Sequence, residues 1–196
     1  MRQVSRSPIA FTIAAILLGT QLTACGPVIV GGAAAAGVVA ADRRTSGTFL
    51  EDQSIELKAK NAIVDNIGEA NIDISVTSFN RNVLLTGQAI DEATKTKAET
   101  VAKTIQNVRT ITNEITIGEK NTFTENNNDA YITSKVKGRM LKENRFPANY
   151  VKVVTEDGVV YLMGLVTEQE ANDAVEIARG TEGVQKVVKV FEYIEE

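Results

Sequence analysis

The chain has no histidine, no tryptophan, three prolines and a single cysteine, and aromatic residues make up only 5% of it. Each shortage removes a class of chemistry. Without histidine there is no Ser-His-Asp or Cys-His arrangement and no imidazole metal ligand. One cysteine cannot form an intramolecular disulfide. With so few aromatics, the cores have to be aliphatic. Basic side chains are also in deficit, 21 Lys and Arg against 25 Asp and Glu, which makes general nucleic-acid binding a poor fit. The apolar run Ile9 to Leu18 is too short and too interrupted to span a bilayer, which takes roughly 20 apolar residues.

What is present starts with that cysteine. Arg2 and Arg6 give a positive start with no acid before Asp42, Ile9 to Leu18 form a short apolar stretch, and small residues lead to Leu22-Thr23-Ala24-Cys25. This arrangement resembles a bacterial lipoprotein signal with its lipobox. The resemblance implies a signal peptide over 1–24 and a mature chain beginning at a lipidated Cys25. Gly26, rather than Asp, in the next position implies an outer-membrane address. Two or more acyl chains anchor stably where one binds only marginally. Loss of Arg2 and Arg6 with the leader leaves 19 basic against 25 acidic side chains, a net charge of −6. Residues 25–50, with Gly31-Gly32-Ala33-Ala34-Ala35-Ala36-Gly37 and then Asp42-Arg43-Arg44, read as a flexible Gly/Ala-rich tether with a charged end.

Beyond residue 50 the chain repeats itself. Val83-Leu84-Leu85-Thr86-Gly87 recurs as Val160-Tyr161-Leu162-Met163-Gly164, 77 residues on. The same offset relates Ile55 to Ile132, Ala59 to Val136, Ile63 to Met140 and Ile74 to Val151. After the glycine the offset is 76, as Ala98 to Ala174 and Val108 to Val184. Each copy reads αββαβ. Ile55, Ala59, Ala62 and Ile63 mark a helix face, Ile72, Ile74 and Val76 alternate as a strand, and Ala98, Val101, Ala102 and Ile105 mark a second helix. Asp157-Gly158 is a strong hairpin signal. The expected fold is α+β: two tandem units at 51–117 and 129–196, joined by a linker over 118–128. Each is a small three-stranded sheet with both helices on one face and the other face open to solvent or a partner.

Each unit resembles a BON domain, whose pattern is an apolar helix, a turn, Val-x-Leu-x-Gly, an Ala-rich helix and a closing Gly-Val-x-x-Val. The second copy carries Asp157-Gly158, Val160-x-Leu162-x-Gly164 and Gly183-Val184-x-x-Val187. The first has Asn80-Arg81 for the Asp-Gly and Asn107 for the closing Gly. Lipobox, tether and two such units in order are similar to the dual BON-domain outer-membrane lipoproteins. The resemblance implies a non-enzymatic, periplasm-facing protein, without cofactor, that supports outer-membrane integrity. It also implies binding of anionic phospholipid (phosphatidylglycerol, cardiolipin) through the second domain, and links to division sites, envelope stress and outer-membrane assembly.

The residues point to the same place. The second unit's first helix, expected from about Asp129 to Arg145, carries Lys135, Lys137, Arg139, Lys142 and Arg145 against Asp129 and Glu143. Residues 146–196 carry 4 basic and 10 acidic side chains. At about 100° per residue, Ile132, Val136 and Met140 face the core, while Tyr131, Ser134, Gly138, Leu141 and Lys142 fall opposite. The candidate phospholipid site is therefore Tyr131, Ser134, Lys135, Lys137, Gly138, Arg139, Leu141 and Lys142. In the first unit the matching helix carries Glu51, Asp52, Glu56 and Asp65 against Lys58 and Lys60, so lipid is expected to bind the second unit. Glu168, Glu170 and Asp173 are better explained as acids at a helix start than as catalytic groups. The alternative function is a periplasmic adaptor whose open sheet faces dock envelope-assembly or cell-wall remodelling proteins.

Overall fold

In the computed structural model, residues 42–119 and 123–195 are described. The expected signal peptide, Cys25 and the first part of the expected tether lie outside them. Helix α1 (Ser46–Ile67) starts on the Thr45 hydroxyl, which accepts the backbone N–H of Thr48. It is followed by β1 (Ile72–Phe79), β2 (Asn82–Ala89), α2 (Glu92–Lys103), β3 (Thr110–Asn113) and the two-residue β4 (Thr116–Ile117). The second half repeats the order: α3 (Phe123–Glu143), β5 (Val151–Glu156), β6 (Val159–Val166), α4 (Glu168–Arg179) and β7 (Lys186–Tyr193).

In each half the middle strand pairs antiparallel with the strand before it and parallel with the strand after it, the parallel step being made by α2 or α4. The first half's third strand is broken at Glu114-Ile115, so β3 and β4 pair β2 separately. Both hairpins turn in two residues. Asn80 and Arg81, like Asp157 and Gly158, have positive φ, which matches the twist of the flanking strands. Asn107 takes the left-handed conformation that Gly183 takes in the second half. The two substitutions in the first copy thus reproduce the backbone that the glycines give in the second. The shared Gly87 and Gly164 are demanded by packing. A Cβ there would lie 2.2 Å from the Asp73 carbonyl oxygen and 2.4 Å from that of Tyr150.

The helix faces read from the sequence are the buried ones. Ile55, Ile63, Ile72, Ile74, Val83, Leu85, Ala98 and Ala102 form one core. Ile132, Val136, Met140, Val151, Val153, Val160, Leu162, Ala174, Ile177 and Ala178 form its counterpart. Three expectations are corrected. First, the sheet faces are not open. The two halves form one compact unit, and a third cluster joins Phe79 and Leu84 of the first sheet to Tyr161 and Met163 of the second. Each sheet covers the other, which removes the surface that the adaptor reading relied on. Second, the linker is shorter than 118–128. α3 is already helical at Phe123, although its exposed Asn127 and Asn128 pack on no core and carry no apolar period. Third, the tether does not run to residue 50: α1 begins at Ser46, and Asp42-Arg43-Arg44 is bonded to both halves.

Candidate functional site

A buried carboxylate fixes each first helix to its hairpin. Asp52 accepts the backbone N–H groups of Asn80 (2.8 Å) and Arg81 (2.7 Å) and the Ser78 hydroxyl (2.6 Å). Asp129, 77 residues on, accepts the backbone N–H groups of Asp157 (2.8 Å) and Gly158 (2.9 Å). Asp129, Glu156 and Asp157 bring three carboxyls within 4.8 Å. Asp129 is committed to the turn, and Gln88 of the first half donates to Glu156 (3.2 Å) and Asp157 (3.1 Å), so the cluster acts as part of the junction between halves. Burial, and then the nearby Asp157 and Asp129, hold the Glu156 carboxyl above the usual carboxylate range against the opposing Gln88 bond. Tyr161, buried between the sheets, is pushed up to about 12 and stays neutral.

The segment before α1 is a clasp. Arg44 bonds Asp42 (2.6 Å) and Asp52 (2.8 Å) and lies over the Phe79 ring at 3.9 Å. Burial opposes its charge, but the bonds to Asp42 and Asp52 outweigh that and hold the pKa above its ordinary value. Arg43 reaches into the second half. It donates to the Leu165 carbonyl (2.8 Å) and to both Glu170 oxygens (2.5 and 2.9 Å), and stacks on Tyr150 at 3.8 Å. Lys152–Glu56 (2.7 Å) and Asn80, Asn82 and Arg109 on Glu192 add further polar ties between the halves.

On α3 the eight candidate residues divide in two. Arg139 is committed to the fold: it donates to the Ile177 carbonyl (2.9 Å) and the Thr181 hydroxyl (3.1 Å) and pairs with Glu143 (2.8 Å). Lys135 pairs with Glu182 (3.1 Å) and sits 4.8 Å from the Tyr131 ring. Arg145, counted in the helix charge, is held by Glu143, Asp173 and Glu176. The helix therefore spends part of its positive charge on α4. Tyr131, Ser134, Lys137, Gly138, Leu141 and Lys142 are exposed. The Ser134 hydroxyl donates back to the Ala130 carbonyl (2.9 Å). A Cβ on Gly138 would meet nothing within 4 Å. Among the described residues, Lys137 and Lys142 form no ion pair. Lys137 and Leu141 also line a groove of about 520 Å³ between α1 and α3, opposite Phe49, Gln53 and Glu56. Two of the three acids at the start of α4 are occupied: Glu170 closes a capping box with Thr167 and holds Arg43, while Asp173 accepts from Gln169 and Arg145. No helix among the described residues is long and apolar enough to cross a membrane.

Sequence reasoning missed the clasp, the two buried aspartates and the sheet-to-sheet core. Signals for two of them were available. Asp52 and Asp129 share the 77-residue offset and precede Ile55 and Ile132 by three residues, which puts a charge on each core face.

Two αββαβ units, the second with a basic, apolar-tipped first helix, define a tandem α+β protein. The BON domain model matches residues 51–119 and 128–195, and the chain belongs to that family. Its relatives include the outer membrane lipoprotein DolP of Haemophilus influenzae, 39% identical over 92% of this chain and 95% of the relative. The 21 kDa hemolysin of Actinobacillus pleuropneumoniae is 36% identical over 79% of this chain and 80% of its own length. Osmotically-inducible protein Y of Escherichia coli K12 is 33% identical over 72% of each.

Proposed function

We propose that the protein is a non-enzymatic outer-membrane lipoprotein, acylated at Cys25 and facing the periplasm, whose α3 reads anionic phospholipid and thereby supports outer-membrane integrity, with division sites as the place of action. The observation that carries the reading is on α3: Tyr131 and Leu141 are exposed on the face that also presents Lys137 and Lys142 without ion pairs among the described residues. A ring and an aliphatic side chain suit the headgroup zone, and lysine stems reach from there to phosphate. Near an anionic surface each lysine contributes about 1 kcal/mol. An acidic chain makes such a helix directional, since the net charge of the remainder is negative. The DolP similarity over nearly the whole chain supports the envelope setting. The test is co-sedimentation of residues 42–196 with phosphatidylglycerol-rich and neutral vesicles. Tyr131→Glu and Lys142→Glu are expected to lose the anionic binding while keeping the far-UV circular dichroism of the parent. Unchanged binding by both removes the site.

A further inference from the structure

Seven large apolar side chains are exposed among the described residues; one of them, Leu141, lines the groove, and three more are on the two helices that bound it. Tyr131 (62% exposed) and Leu141 (69%) are on α3; Leu50 (65%) and Leu57 (64%) are on α1. The order of faces is the same on both helices. Going round α1, Ile55, Ala59 and Ile63 face the core, Phe49, Gln53 and Glu56 line the groove, and Leu50 and Leu57 come next, about 100° beyond Phe49 and Glu56. Going round α3, the core residues Ile132, Val136 and Met140 are followed by Lys137 and Leu141 in the groove and then by Ser134, Gly138 and Tyr131. Each helix thus carries an exposed apolar edge next to its groove-lining residues.

By composition α1 is the acidic helix, yet three of its four acids are consumed inside the protein. Glu51 pairs with Arg81, Asp52 with Arg44, and Glu56 with Lys152. Among the residues that α1 shows outward, Leu50, Leu57, Lys58, Lys60 and Asp65 are exposed and Ser54 is half-buried; the other exposed residues of the helix are uncharged. Two lysines against one aspartate leave that face with a slight positive charge, as on α3. The chain also enters the fold here, because Asp42 lines the groove. Cys25 is 17 residues upstream, at most about 60 Å of extended chain. An anchor at Cys25 therefore joins the fold on the side of this groove.

We infer that the membrane-contacting surface spans both BON units, with Leu50 and Leu57 of α1 entering an anionic phospholipid bilayer beside Tyr131 and Leu141 of α3. The inference rests on the lipid reading of α3 and extends it to a unit whose charge count argued against it. Contact through two helices fixes the orientation of the tandem on the membrane, which one helix alone would leave free to roll.

The absence of tryptophan makes the test clean, since one introduced Trp is the only indole in the chain. Leu57→Trp and Leu141→Trp are each made in the full lipidated chain and reconstituted into phosphatidylcholine vesicles with and without phosphatidylglycerol. Acyl-chain-brominated lipid serves as quencher. The expected result is a blue shift and bromine quenching of both reporters in the anionic vesicles, both weakened by salt. A Leu141→Trp response without a Leu57→Trp response overturns the two-unit surface and leaves the α3 site standing. Silence of both reporters removes both readings. A Leu57→Trp response in neutral vesicles equal to that in anionic ones also overturns the inference, because the anchor alone would then explain it.

Discussion

Replacing Asp52 by Ala tests the junction that holds the two helices on either side of the groove. The Asp52 side chain is almost fully buried and accepts four bonds: from Ser78, from the backbone of Asn80 and Arg81, and from Arg44. The substitution strands two backbone N–H groups at a turn and a hydroxyl, at about 1–3 kcal/mol for each group that water cannot reach. It also leaves Arg44, which is itself nearly buried, with Asp42 as its remaining carboxylate. Loss of one partner of a buried pair costs about 3–5 kcal/mol. Water reaches part of the hairpin turn, so these costs overlap, and the expected loss is about 4 kcal/mol. Asp129→Ala strands two N–H groups and no cation, so about 2 kcal/mol is expected. Urea unfolding followed by circular dichroism, with the slope m unchanged, measures both. The reasoning is refuted if Asp52→Ala costs no more than Asp129→Ala, or if either costs less than a typical surface substitution.

Gly87→Ala and Gly164→Ala should each cost about 3 kcal/mol or abolish soluble expression, because the added carbon meets the carbonyl oxygen of Asp73 or of Tyr150; a normal unfolding midpoint would contradict this. Glu156 has its folded-state pKa raised, first by burial, so its ionised form weakens the fold above that pKa and the penalty fades as pH falls toward the ordinary carboxylate value near 4.3. Glu156→Gln should therefore raise the urea midpoint at pH 7 and lose that advantage near pH 4; an advantage that grows with acidity has the wrong sign. Lys142→Glu should weaken binding to anionic vesicles by about 2 kcal/mol, roughly 30-fold, through loss of one cation and gain of one anion. Arg145→Glu should mainly lower stability, because Arg145 is held by Glu143, Asp173 and Glu176. Equal effects of the two on vesicle binding would mean that net charge, not the exposed face, sets the affinity.

The parts of the fold legible in the sequence were those with a period. Ile55, Ala59 and Ile63, and Ile132, Val136 and Met140, announced their faces because each packs on its own unit's sheet. The sheet-to-sheet core was less legible because it is built between repeats. Its trace is the continuous apolar run Val159 to Met163, which fits a strand buried on both faces better than a half-open one. The clasp left no trace at all. Asp42, Arg43 and Arg44 look like a charged tether end, and their role depends on Phe79, Tyr150 and Glu170 arriving from far along the chain. In the candidate site the exposed apolar tips were readable from helix angle, whereas the spending of Arg139 on Ile177 and Thr181 was not, since it depends on how α3 crosses α4.

The central claim is that an exposed face of α3 recognises anionic phospholipid independently of the acyl anchor. Co-sedimentation of residues 42–196 with phosphatidylglycerol-rich vesicles, at low and at physiological salt, tests it most directly. The account predicts binding at low salt, weakened as salt screens Lys137 and Lys142, with none to neutral vesicles. Absence of binding to anionic vesicles at low salt, or equal binding to neutral ones, would contradict it and leave Cys25 as the sole membrane attachment.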